Sequence, residues 1–394
     1  MALIIGIVSL LIIIQQAVSF TFLPETFLKT PELIKHWGYP VETHEAITKD
    51  GYILTLHRIP YGKGKTAPAS NNRPVFYLQH PMFGSSSDWV INLPNQSLGF
   101  MLADRGYDVW LGNVRGNTYS QNHVTMSNMT KEFWDFSFDE HALFDFPAII
   151  NYVLKHTKQR QLYYVGHSQG TMMSFAGLSN NKALQSKIKI NFALGPIARI
   201  NSITLDHKVR SVAILINYIK RSFDLLNVFV IGSPLVEARE AMDKLCNSLP
   251  SVCAYLSAIK NDQIAGSSPF LNVTRLPVYF THAPSGTSTK NFLHRLQLVN
   301  SGRFCMYDYG KKGNLMKYKK LTPPEYDLKA VAVPTVIFSG TADTLSTPKD
   351  VLRTVRSLPN VLHHYNVTGY NHGDFLLAMN AGTAVNKKII EHLP

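Results

Sequence analysis

The sequence predicts an α/β fold: a mostly parallel central sheet with helices on both faces and an inserted, mainly helical cap. Three observations predict it. Short apolar runs alternate with helix-like stretches from about residue 74 to residue 196, and the alternation returns at Val333. That alternation is the pattern of βαβ units in a parallel sheet. Residues 197–326, between the two stretches, abandon it. Finally, the strand-like run Leu162-Tyr163-Tyr164-Val165 leads into Gly166-His167-Ser168-Gln169-Gly170 and then a helix start at Thr171–Ala176. Strand, sharp turn and helix follow one another there.

The elements follow in order. Met1–Ile14 is an apolar run too short to span a bilayer. Ala17-Val18-Ser19 offers small residues at the spacing of a cleavage site, so residues 1–19 read as a signal peptide, with an uncleaved anchor as the alternative. Pro31–Trp37 is helical. Val41–Thr48 and Tyr52–Ile59 alternate apolar and polar residues around Lys49-Asp50-Gly51, the pattern of a β-hairpin. Pro74–Gln79 reads as a central strand and Leu98–Arg105 as a helix ended by Gly106. Tyr107–Leu111 is the next strand. Phe138–Lys155 has helical apolar spacing with acidic residues in its first turns, as the helix dipole favours. After the strand Leu162–Val165 and the turn comes another strand at Asn191–Leu194. Val333–Gly340 and Val361–Tyr365 are the last two strands, and Ala384–His392 is a closing helix. The chain thus divides into a core of residues 20–196 and 327–394 and a cap of residues 197–326.

Composition limits the function. Of 394 residues, 45% are hydrophobic and 16% charged, a core-forming balance rather than a disordered one. The formal net charge is +13, but the basic residues are scattered in short clusters such as Lys311-Lys312. No zinc finger, RNA-binding signature or basic helix accompanies them, which argues against nucleic acid. A solvated surface, or attraction to anionic lipid surfaces, accounts for the charge. Passage through the secretory pathway would make the sequons at Asn95, Asn128, Asn272 and Asn366 candidates for glycosylation. Of three cysteines, Cys246 and Cys253 are close enough to form a local disulfide, leaving Cys305 buried and inert.

The motif that carries chemistry is Gly166-x-Ser168-x-Gly170. A serine on a tight turn needs small neighbours, which glycine supplies. By chance such a pattern arises in roughly one chain in ten of this length, so it requires partners. A serine hydroxyl becomes nucleophilic only when a base takes its proton, and the base needs an acid to fix its tautomer. In hydrolases of this architecture the order is serine, acid, histidine. Asp343, just past the strand ending at Gly340, and His372, after the last strand, fit that order. Asp327, Asp350 and Asp374 compete as acids, among 15 histidines in all. The oxyanion of a tetrahedral intermediate needs N–H donors. Gln169 N–H follows the nucleophile, and Met82 N–H lies in the loop after the early strand. His80 in that loop reads equally as a residue that holds the turn by hydrogen bonds.

Several longer motifs resemble one family. These are Trp37-Gly38-Tyr39-Pro40, Leu78-Gln79-His80, Asp108–Asn113 with Arg115-Gly116-Asn117, Phe133–Glu140, Tyr164–Thr171 and Tyr370-Asn371-His372. Together they resemble the acid lipases of animals, the gastric and lysosomal group, over essentially the whole mature chain. The resemblance implies an α/β-hydrolase fold with a cap and lid, and a lipase-associated N-terminal segment. It implies hydrolysis of neutral lipid esters at a lipid–water interface, without cofactor or metal. It assigns Ser168 as nucleophile, Asp343 as acid, His372 as base, and the N–H groups of Met82 and Gln169 as oxyanion donors. The expected function is a secreted serine lipase of triacylglycerol type, extracellular or lysosomal. A sterol-ester hydrolase, a short-chain esterase or a catalytically weak lipid-binding protein are the alternatives. One departure bears on the site: the family has His-Gly where this chain has His80-Pro81. Proline fixes φ near −65° and restricts the residue before it. If the family glycine needs positive φ, Met82 N–H would be misplaced.

Overall fold

A computed structural model describes residues 23–66, 73–200, 202, 215–232, 266 and 268–393. The candidate signal peptide and the Cys246–Cys253 pair lie outside the described residues. The centre is a nine-stranded sheet. Its strands are β1 (Glu42–Ile47), β2 (Tyr52–Ile59), β3 (Val75–Gln79), β4 (Asp108–Leu111), β5 (Asn122–His123), β6 (Leu162–His167) and β7 (Ile188–Leu194), then β10 (Thr335–Gly340) and β11 (Val361–Val367). A separate short pair, β8 (Val230–Ile231) and β9 (Thr287–Ser288), is antiparallel. The order across the large sheet is β1-β2-β4-β3-β6-β7-β10-β11, with β5 beside β2. The hairpin β1–β2 and the β2–β4 contact are antiparallel. From β4 through β11 every neighbour is parallel.

The local reason is burial on both faces. β3, β6 and β10 are buried at every residue, as expected for parallel strands covered by helices on both sides, and so they read as continuous apolar runs. Alternate side chains feed two cores. Tyr77, Trp110 and Tyr164 point into one, with Phe146 and Ile150 of a covering helix. Phe76, Leu78, Tyr163, Val165, Phe192, Val336 and Phe338 enter the other. Each large side chain removed from water there contributes about 1.5–3 kcal/mol. β7 and β10 are neighbours although residues 195–334 separate them, so the chain leaves the sheet and returns to the adjacent position.

Two expected helices differ in detail. The stretch predicted as one helix over Phe138–Lys155 is a short turn at Phe138–Glu140, a wide π-type turn at His141–Asp145, and a regular helix at Phe146–Thr157. Pro147 follows the wide turn directly; with no N–H to give, it cannot continue the regular ladder of bonds from the helical turns before it. The closing helix likewise begins with a π-type turn at Gly382–Asn386 and becomes regular at Lys387–Glu391. Cys305 is 4% exposed, and burial pushes its thiol up to about 11, so it is not a ready nucleophile. No described helix is long and apolar enough to cross a membrane.

Candidate active site

Parallel strands send their C-terminal ends to one edge, and four loops meet there: those after β3, β6, β10 and β11. The loop after β6 turns sharply into the helix Gln169–Asn180, and Ser168 at its apex has φ 53° and ψ −113°. A non-glycine residue in this region is strained, and strain of this kind costs about 1–3 kcal/mol. The glycines make the turn possible. A Cβ on Gly166 would lie 2.7 Å from the Gly170 carbonyl carbon, and one on Gly170 would lie 2.6 Å from the Gln79 carbonyl oxygen. Backbone atoms cannot yield as side chains do, so both positions exclude any larger residue. Ser168 N–H donates to the Leu194 carbonyl at 3.0 Å, tying the turn to β7.

His372 lies in the loop after β11, and its Nδ1 is 2.8 Å from Asp343 Oδ2. The other oxygen, Oδ1, accepts from the N–H groups of Leu345 (2.9 Å) and Ser346 (2.7 Å). Asp343 is thus aimed by its own loop, with Nδ1–H of His372 as its third donor. His372 Nε2 is buried and has no hydrogen-bond partner. Gly195 packs against this pair: a Cβ there would come within 3.2 Å of the His372 ring and 3.4 Å of Asp343 Oδ2. His167 Nε2–H donates to the His372 carbonyl at 2.9 Å, and the two rings lie 4.9 Å apart. Burial and the neighbouring His372 push the His167 pKa well below its ordinary value, so it serves as a neutral donor. The other acids are engaged elsewhere. Asp374 accepts from Ser268 Oγ (2.6 Å) and Asn371 N–H (2.7 Å). Asp350 accepts from Ser202 N–H and Arg353, and Asp327 caps the turn at Lys329. The three residues Ser168, His372 and Asp343 are 7%, 7% and 3% exposed. With a buried, unoccupied imidazole nitrogen held by a carboxylate next to a strained serine turn, the arrangement can accept a hydroxyl proton.

The loop after β3 answers the question raised by Pro81. Pro81 is not among the described residues with positive φ; Phe83 is, at 63°. Gly84 N–H closes the turn on the Pro81 carbonyl at 3.1 Å. The left-handed residue is therefore the third of the turn, where type II turns require it, and proline at the first position is compatible. Met82 N–H and Gln169 N–H have no hydrogen-bond partner among the described residues. His80 holds the turn, as its alternative reading expected. Its Nδ1–H donates to the Pro81 carbonyl (2.8 Å), while Nε2 accepts from Val114 N–H (3.3 Å) and Asn117 Nδ2 (3.2 Å). Burial pushes its pKa down to about 4, which keeps it neutral and able to accept. Accordingly, Pro81→Gly leaves kcat on a soluble ester within about two-fold of the parent, whereas loss of an oxyanion donor would cost 10²–10³-fold. A large gain in kcat would show that proline distorts the loop.

Sequence reasoning missed the residues that hold Gln169. Its side-chain Nε2 donates to His141 Nδ1 (3.3 Å), and its Oε1 accepts from Asn291 Nδ2 (3.1 Å). Asn291 is in turn fixed by Ser288 and Thr287. No local pattern marks these partners, since they lie 28 and 122 residues away in sequence. Glu42, His44 and His156 also converge, with ligand atoms within 4.8 Å of one another. Arg58 Nη1 already lies 2.8 Å from Glu42 Oε2 and 3.4 Å from His156 Nε2, so a guanidinium serves as the cation there.

Residues 30–93 match the model of a partial α/β-hydrolase lipase region, and residues 74–221 match the α/β hydrolase fold. The gastric triacylglycerol lipase of Mus musculus is 42% identical over 376 residues, which cover 93% of this chain and 92% of that one. The chain belongs to the animal acid lipase family. Like the rest of this acid lipase family it is a carboxylic ester hydrolase with an α/β-hydrolase fold. Lipase member K of Homo sapiens, a further relative, is 40% identical over 379 residues, covering 93% and 91%. The fold extends beyond the acid lipases: an epoxide hydrolase from Vigna radiata superposes with a TM-score of 0.52 at 16% identity, covering 89% of this chain and 97% of its own.

Proposed function

We propose that this acid lipase is a secreted serine lipase that cleaves triacylglycerol-type esters through an acyl-enzyme. Ser168 Oγ attacks the ester carbonyl while His372 Nε2 takes its proton, and Asp343 stabilises the imidazolium. The N–H groups of Met82 and Gln169 receive the negative charge that develops on the carbonyl oxygen. Collapse of the tetrahedral intermediate expels the alcohol, which leaves with the proton from His372. Water then attacks the acyl-serine with the same base, releasing the fatty acid and restoring the hydroxyl. The observation that carries this reading is the His372 ring, with Nδ1 on Asp343 and Nε2 buried and unbonded, its backbone carbonyl held by His167, the residue before Ser168. The triacylglycerol class is supported by likeness to gastric triacylglycerol lipases over nearly the whole chain.

The remaining parts of the proposal are a signal peptide at residues 1–19, a cap at residues 197–326, an extracellular or lysosomal destination, and glycans. Asn95 and Asn366 are exposed and Asn128 and Asn272 partly so. The test is hydrolysis of triolein, cholesteryl oleate and a short-chain nitrophenyl ester, with fluorophosphonate labelling. Triolein is expected to be cleaved fastest, with one label on Ser168. Faster cleavage of cholesteryl oleate or of the short ester would select those substrates instead. Failure to label would favour lipid binding without catalysis.

A further inference from the structure

The turn that carries Met82 is built on an unfavourable residue. Position three of such a turn calls for glycine, because only glycine adopts positive φ without steric cost. This chain has Phe83 there, at φ 63°. A bulky residue persists in that region only where its surroundings over-determine it. Two contacts do so, both from the segment that forms the β8–β9 pair. The Phe83 carbonyl accepts from Ser285 N–H at 2.7 Å. Ser285 is itself fixed: its carbonyl accepts from Thr118 N–H (2.8 Å) and Thr118 Oγ1 (3.1 Å), and its hydroxyl donates to the His282 carbonyl (2.7 Å). On the other side, the Phe83 ring lies flush on Gly232, where an added Cβ would come 2.5 Å from Cδ1 and 3.3 Å from Pro284. Gly232 follows β8, and Ser285 precedes β9, so one small antiparallel unit grips the turn by a hydrogen bond and by the ring. The turn has little room elsewhere: a Cβ on Gly84 would lie 2.1 Å from Asp88 Oδ2.

We propose that Phe83 is a positioning residue for ester hydrolysis, held left-handed by Ser285 and Gly232, so that the β8–β9 unit sets the direction of Met82 N–H. The inference rests on the reading of Met82 as an oxyanion donor. It makes oxyanion stabilisation depend on a segment outside the central sheet, and displacement of that segment would weaken it without touching Ser168, His372 or Asp343.

The experiment compares Phe83→Ala with Phe83→Gly. Both lose the ring and both are small, so the difference between them isolates the left-handed backbone. Gly232→Ala, which pushes on the ring from the far side and also strains a backbone position at φ 68°, is the third variant. The readouts are kcat and KM on a soluble short-chain ester, and affinity for a trifluoromethyl ketone, which forms an anionic hemiketal with the serine. Phe83→Ala is expected to lower kcat and ketone affinity together, by about 10–100-fold, with KM within about two-fold, as a misaligned oxyanion donor does, short of the 10²–10³-fold of losing one outright. Phe83→Gly retains at least about five-fold more of both, since glycine adopts the turn unaided. Gly232→Ala behaves as Phe83→Ala. Equal losses in Phe83→Ala and Phe83→Gly, or a loss confined to KM, would overturn the proposal in favour of simple ring packing. The two readings separate in the parent enzyme. If the ketone binds no better there than the corresponding alcohol, the oxyanion assignment itself fails. If it binds tightly and the three variants match the parent, only the role of Phe83 fails.

Discussion

Ser168→Ala lowers kcat for ester hydrolysis by about 10⁵–10⁶-fold, with KM and thermal stability nearly unchanged. The size follows from the site's construction. His372 Nε2 is buried without a partner, and Nδ1 is committed to Asp343, so the ring has one free position. On the proposed mechanism, removing the serine hydroxyl leaves no proton for that nitrogen to take and no acyl-enzyme to form. His372→Ala is expected to fall by a similar factor, and the double variant by scarcely more, because the two residues act as one unit. Asp343→Asn keeps the size of the side chain but favours the wrong imidazole tautomer, and is expected to cost about 10⁴-fold. Hydrolysis is measured on purified protein with active-site titration, so that a contaminating esterase is counted separately. Activity of Ser168→Ala within ten-fold of the parent would refute the assignment of the nucleophile.

What could be read from the chain beforehand follows from where the physical signal is local. β3, β6 and β10 are buried on both faces, and their apolar runs announce them. Gly166 and Gly170 announce the turn because backbone atoms lie within 3 Å of where a side chain would be. Asp343 and His372 could be proposed because chain order in this architecture constrains them, although their pairing is a contact across 29 residues. The loop after β3 was legible only in part. Attention falls naturally on Pro81, whose ring restricts φ, but the conformational demand falls two residues later on Phe83. Nothing local marks a phenylalanine as left-handed; the reason lies in Ser285 and Gly232, about 150–200 residues away. The same holds for the π-type turn at His141–Asp145. One added residue in the turn leaves the apolar spacing helix-like, so the stretch reads as a single helix. Yet that turn directs His141 to Gln169 and Asp145 to Arg115.

The second large effect belongs to that buried arginine. Arg115 is 1% exposed and lies between two carboxylates. Its Nε donates to Asp145 Oδ1 at 2.7 Å, and its Nη1 and Nη2 donate to Asp50 at 2.6 and 2.9 Å. Its guanidinium also stacks 3.9 Å over the Tyr52 ring. It therefore ties the β1–β2 hairpin, through Asp50, to the π-type turn beside Gln169. Arg115→Ala removes one partner and leaves Asp145, 0% exposed, as an uncompensated buried charge, an event that costs about 3–5 kcal/mol. Urea unfolding is expected to show a lower midpoint at unchanged slope. The deficit also depends on pH, with a definite sign. Burial already pushes Asp145 up to about 6 against the pull of Arg115, and without Arg115 its pKa rises further. A carboxyl whose folded pKa exceeds its unfolded value binds protons more tightly when folded, so stability rises as pH falls toward and below that pKa. Asp50 has the opposite shift: in the parent, Arg115 outweighs burial and holds it below the ordinary value, so its contribution is lost only in strong acid. The Asp145 term makes the gap between Arg115→Ala and the parent widest near neutral pH and narrower toward pH 5, while the Asp50 term stays constant over that range. A variant that also replaces Asp145 by leucine removes the stranded charge and is expected to recover part of the loss at neutral pH, where Arg115→Ala alone is weakest. A gap that widens on acidification, or a midpoint change worth less than about 1 kcal/mol, would mean that the hairpin and the π-type turn are held by packing instead of by this arginine.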